Sequence, residues 1–130
     1  MVYQKVLVPV GGKFQCARAE RALEQALQIV RKDGEICLLH CVGAEKHGEP
    51  QIIREMEKLF NRLAVRVKDA GIAYSISVAP GLPETQIPIF ASNNNYNIVS
   101  MCTEIDDGFV RDSVAASVFQ NLSVPLLIAH

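Results

Sequence analysis

Asn97 to Val114 reads NIVSMCTEIDDGFVRDSV, and a change of hydrophobic period inside this stretch decides the fold. Ile98, Val99 and Met101 end an apolar run that suits a buried strand. Val114, Ala115, Val118 and Phe119 recur at helical spacing and make the inner stripe of a helix. The segment between them therefore leaves the carboxyl end of a strand and enters the amino end of a helix. In open α/β sheets ligands collect at such places, because the unpaired N–H groups of a first helical turn face an anion.

The same strand-to-helix unit repeats outward from this stretch. Lys5 to Val10, KVLVPV, is apolar without polar alternation, as expected of a strand covered on both faces, and ends at Gly11-Gly12. Ala19, Ala22, Leu23, Ala26, Leu27 and Val30 then stripe a helix whose opposite face carries Arg18, Arg21, Glu24, Gln25, Gln28 and Arg31. That helix is expected to stop at Asp33-Gly34. Glu35 to Val42 is a second buried strand. After a polar loop with Lys46 and His47, Ile52, Ile53, Met56, Leu59, Phe60, Leu63 and Val67 stripe a second helix closed by Gly71.

Ile72 to Val78 alternates more, which suits a strand near a sheet edge. Pro83 opens a third helix, in which Ile87, Phe90 and Ala91 face inward and Pro88 should distort the backbone. Asn93, Asn94 and Asn95 end it, since asparagine tolerates left-handed backbone. The fourth strand, the opening stretch, a fourth helix to about Asn121 and a last strand over Val124 to Ile128 complete the chain. Four strand-helix units and a closing strand predict one α/β domain over residues 1–130, an open doubly wound five-stranded parallel sheet with helices on both faces.

Composition narrows function. The 130 residues are 49% hydrophobic with a net charge of −1, enough apolar chain for one core and no basic field for nucleic acid or an anionic membrane. No signal-peptide h-region and no membrane-length apolar run occurs, so a cytoplasmic protein is expected. Cys16, Cys37, Cys41 and Cys102 form no C-x-x-C pair and read as reduced, mostly buried thiols.

KVLVPV at the start, LLH at 38–40, GLPETQI at 81–87, NIVSM at 97–101, SVA at 113–115 and VPLLI at 124–128 together resemble the universal stress protein family, in its order and spacing along the whole chain. The resemblance implies strand order 3-2-1-4-5, two helices on each face, and a homodimer paired through the last strand, with Val124, Leu126 and Ile128 at the seam. An exposed apolar edge strand also calls for a partner on physical grounds.

The family contains ATP-binding and non-binding members. Binding members share a motif of Gly, two residues, Gly, nine residues, then Gly and Ser or Thr, which lets bare backbone approach phosphates. Here Cys102 stands at the first glycine and Asp112 precedes Ser113. The interval from Cys102 to Asp112 is ten residues where the motif takes thirteen, and Gly108 is the only glycine between them. Gly11 replaces the aspartate that members place after the first strand. Glu104, Asp106, Asp107 and Asp112 face a single cation, Arg111. Asp112 is placed to act as the N-cap of the following helix, supplying the anion from the chain itself.

A Cys-His nucleophile or zinc site built on His40, Cys41, His47 and Cys102 is disfavoured, because the strands carrying Cys41 and Cys102 are separated by the first strand. Lys13, Lys46 and Arg111 read as surface cations. No catalytic group and no metal site is assigned. The expectation is a non-catalytic regulatory binding module with a degenerate nucleotide site, no cofactor, and an unidentified protein partner. The alternative is an ATP-binding member that acts with magnesium as a switch or slow ATPase, through Pro9, Val10, Gly11, Cys41, Met101, Cys102, Ser113 and Val114.

Overall fold

The structure is a computed structural model that describes residues 3–10, 16–42, 50–102, 105, 106, 109, 110 and 113–129. The elements are β1 (Tyr3–Pro9), α1 (Cys16–Ile29), β2 (Val30–Val42), α2 (Pro50–Asp69), β3 (Ala73–Pro80), α3 (Pro83–Asn93), β4 (Ile98–Cys102), β5 (Ile105–Asp106), β6 (Phe109–Val110), α4 (Ser113–Asn121) and β7 (Leu126–Ala129). Five strands form one all-parallel sheet in the order β3-β2-β1-β4-β7, while β5 and β6 pair separately. With β7 as the fifth sheet strand, this is the expected 3-2-1-4-5 order.

The unbroken apolar run of β1 has its reason in two cores. Val6 and Val8 join Ala22, Leu23 and Ala26 of α1 and Leu59, Leu63 and Val67 of α2 on one face. Leu7 joins Ile87 and Ala91 of α3 and Ala115 and Val118 of α4 on the other. Successive strand residues point to opposite faces, so a central strand between two helical layers must be apolar at every position.

Helix ends follow their sequence signals in two cases. Gly71 has φ 76°, its N–H reaches the Lys68 carbonyl at 2.9 Å, and the Ile72 N–H reaches Val67 at 3.2 Å. This is a Schellman closure of α2. Asn95 plays the same part for α3, with φ 58° and the Tyr96 N–H donating to Ala91 at 3.0 Å. Pro88 is buried within α3, which runs on to Asn93.

Other expectations are corrected. α1 stops at Ile29 and β2 begins at Val30, so Asp33 and Gly34 lie inside a strand. The β1–β2 register shifts there, Tyr3 pairing with Val30 but Lys5 with Glu35. Gly34 serves close approach to β1, since a Cβ on it would stand 2.5 Å from the Gln4 carbonyl oxygen. Gln25 does not sit on a solvent face: its Nε2 donates to Ser100 Oγ at 2.9 Å and to the Leu127 carbonyl at 3.2 Å. Phe119 is not part of the inner stripe, being 66% exposed. β3 does form an edge, with Tyr74, Ile76 and Val78 as its more exposed face.

Candidate functional site

β1 and β4 are neighbours, yet α1 after β1 packs on one face of the sheet and α4 after β4 on the other. Chains diverging in this way open a crevice at the carboxyl ends of the two strands, the usual ligand position in such sheets. β1 stops at Pro9 opposite Leu39, whereas β2 runs on to Val42 alongside β3. The crevice therefore lies over the end of β1, between the ends of β2 and β4.

Of the residues expected at the site, Pro9, Val10, Cys41, Met101 and Cys102 come to this end of the sheet, and Ser113 and Val114 open α4. They divide between the faces. Val10 is buried in the α1–α2 core with Cys102 packed against it, while Met101 is buried in the α3–α4 core with Cys41 and Val114 against it. The Val10 N–H donates to the Leu39 carbonyl at 2.7 Å, which fixes the floor of the crevice. β7 holds the far wall, pairing Ile128 with Met101 and Ala129 with Cys102.

Gly11, Lys13, Lys46, His47, Glu104, Asp107, Gly108, Arg111 and Asp112 lie outside the described residues. The N-cap role of Asp112 is therefore an expectation carried forward from the sequence.

His40 and Cys41 point to opposite faces, so they do not form a Cys-His pair. His40 Nδ1 lies 3.3 Å from the Val10 carbonyl oxygen, a bond that places the proton on Nδ1. Its ring meets Phe60 edge-on at 5.8 Å. Burial lowers the His40 pKa, opposed by the Val10 bond. Burial, with the Glu84 carboxylate, pushes the Cys41 thiol up to about 11. A protonated thiol is a poor nucleophile and a poor metal ligand. Among the described residues, no cluster of three or more histidine, cysteine or acidic side chains could hold a metal ion.

Two features escaped sequence reading. Ser100 is fully buried in β4, its Oγ donating to the Ala22 carbonyl at 2.8 Å and accepting from Gln25. An apolar-run reading passes over a lone serine. The segment taken as a plain loop contains a small antiparallel ladder, with Ile105 opposite Val110 and Asp106 opposite Phe109. Its signal was the Asp107-Gly108 dipeptide, a common hairpin connection.

No protein-family model matches the sequence, and no curated protein matches it. Solved structures do match. A universal stress protein from Archaeoglobus fulgidus superposes with TM-score 0.80 at 19% identity, over 98% of this chain and 94% of that one. A universal stress protein in complex with cAMP gives 0.73 at 18% identity, over 100% and 98%. A family member from Arabidopsis thaliana with AMP bound gives 0.70 at 20% identity, over 96% and 90%. Likeness over nearly the whole of each chain, together with the strand order found here, shows that this chain has the universal-stress-protein fold.

Proposed function

We propose that this chain is a universal-stress-type regulatory binding module that performs no catalysis and does not hold a nucleoside triphosphate. The observation that carries the reading is the segment from β4 to α4, where Glu104, Asp106, Asp107 and Asp112 stand against Arg111 alone. Cys102 and Asp112 occupy positions where a phosphate cradle needs bare backbone. At about 4 Å and an effective dielectric near 20, each uncompensated like-charge pair costs about 4 kcal/mol before salt screening. A triphosphate presents several such pairs, and Asp112 as N-cap supplies the helix terminus with its own anion.

The AMP and cAMP complexes among the related structures favour a second reading, in which an adenine nucleotide acts as a switch in the same crevice. Pro9, Val10, Gly11, Cys41, Met101, Cys102, Ser113 and Val114 would line it, and a magnesium ion on Asp106 and Asp107 would accompany ATP. The outermost position of β7 supports a homodimer paired through Val124, Leu126 and Ile128, with an unidentified regulatory protein as the further partner. The free thiols of Cys37, Cys41 and Cys102 suit a reducing, cytoplasmic setting.

Acid release of any copurified nucleotide, followed by an absorbance scan near 260 nm, tests the first reading in a protein without tryptophan. Purified protein is expected to release none, and a stoichiometric adenine spectrum would overturn the reading. For the dimer, Leu126→Lys is expected to remove the β7 contact and lower the sedimenting mass, and an unchanged sedimentation profile contradicts pairing through β7.

A further inference from the structure

β3 reads Ala73-Tyr74-Ser75-Ile76-Ser77-Val78-Ala79 before its terminal Pro80, a near-palindrome centred on Ile76. Among the described residues it is the end strand of the sheet and pairs with β2 alone. Tyr74, Ile76 and Val78 lie opposite Ile36, Leu38 and His40 of β2 and so share the α1–α2 side of the sheet. They are nonetheless 43%, 45% and 59% exposed. The strand carries no charge, and proline stands only at its last position. A long uncharged edge of this kind lacks the devices that normally block strand addition.

We propose that β3 is a self-pairing edge, joining antiparallel to β3 of a second copy of this chain about a two-fold axis at Ile76. The occupant follows from the palindrome. In that register Ile76 meets Ile76 of the second copy, Tyr74 meets Val78, Ser75 meets Ser77 and Ala73 meets Ala79. The exposed apolar side chains pair on one face, an aromatic with a β-branched residue at each flank, and serine hydroxyls pair on the other. A two-fold normal to the sheet preserves its faces, so a one-residue slip would set apolar against serine and is forbidden. A register centred on Ser77 sets Tyr74 against Pro80, which has no N–H to give the ladder. The Ile76-centred register alone matches all seven residues in kind.

This inference is independent of what the crevice binds. Should β7 pair as well, each copy carries two self-complementary edges, and assembly extends beyond a dimer.

Cysteines added on β3 test it under mild oxidation, with the unaltered chain and its four cysteines as baseline. Opposed residues sit within disulfide reach, whereas the two Tyr74 positions would lie roughly 13 Å apart along the strands. Ile76→Cys is therefore expected to give cross-linked dimer at least about tenfold faster than Tyr74→Cys, whose paired positions lie beyond disulfide reach. The double variant Tyr74→Cys/Val78→Cys is expected to recover the fast rate. All three positions are substantially exposed, so circular dichroism is expected to show native helix content. Cross-linking of Ile76→Cys at the baseline rate overturns the proposal. So does equal cross-linking of Ile76→Cys and Tyr74→Cys, or a double variant no faster than Tyr74→Cys.

Discussion

A methyl group at position 34 would stand 2.5 Å from the Gln4 carbonyl oxygen, 3.0 Å from Val30 Cγ2 and 3.1 Å from the Arg31 carbonyl oxygen. Two of these three atoms belong to backbone, so the clash cannot be relieved by a rotamer. Gly34→Ala is expected to cost about 1–3 kcal/mol in urea unfolding, as overpacking does; a change within about 0.5 kcal/mol, the range of neutral surface substitutions, would contradict this account of the glycine. His40 yields a pH dependence. Its folded pKa lies below its ordinary 6.5, so below that value the unfolded chain binds the proton more readily. Stability therefore rises with pH from the lowered folded pKa up to about 6.5 and is lost on acidification through that window. The urea midpoint of the unaltered protein is expected to fall between pH 7 and pH 5.5, and His40→Gln is expected to flatten that fall. Equal slopes in the two proteins would show that His40 plays no part.

At the scale of elements, α4 separates two hydrophobic residues that the sequence presents alike. Val118 is fully buried and Phe119 is 66% exposed. Val118→Ala is expected to lower stability by about 1–3 kcal/mol, from lost transfer energy and a cavity. Phe119→Ser is expected to change it by less than about 0.5 kcal/mol. Denaturant melts that rank the two the other way would contradict the placement of α4. Helix period shows which arc is apolar, but not how far around that arc the neighbouring layer reaches. The same limit explains the α1 boundary, because the apolar spacing continues to Val30 and only the β1 contact reveals that residues 30–34 are already strand. The closures at Gly71 and Asn95 were legible because left-handed backbone narrows the choice of residue at one position.

For the whole molecule, the parallel sheet and its two-faced core were legible because uninterrupted apolar strands alternating with amphipathic helices leave few other arrangements, whereas the strand order came from the resemblance to the universal stress protein family. The candidate site was legible only as a position in the fold. Pro9, Val10, Cys41, Met101 and Cys102 gather at the carboxyl end of the sheet by topology alone. Their split between two faces follows from side-chain alternation at the strand ends. The antiparallel pair of β5 and β6 agrees with a sequence signal, an Asp-Gly dipeptide common in hairpins, which a search for phosphate-binding glycines passes over. The central claim, that four carboxylates, Asp112 among them, exclude a triphosphate, rests on charge as well as on missing glycines. Titration calorimetry with Mg-ATP on the unaltered protein tests it most directly: the account predicts no heat of binding at micromolar nucleotide, and saturable micromolar binding of Mg-ATP would contradict it.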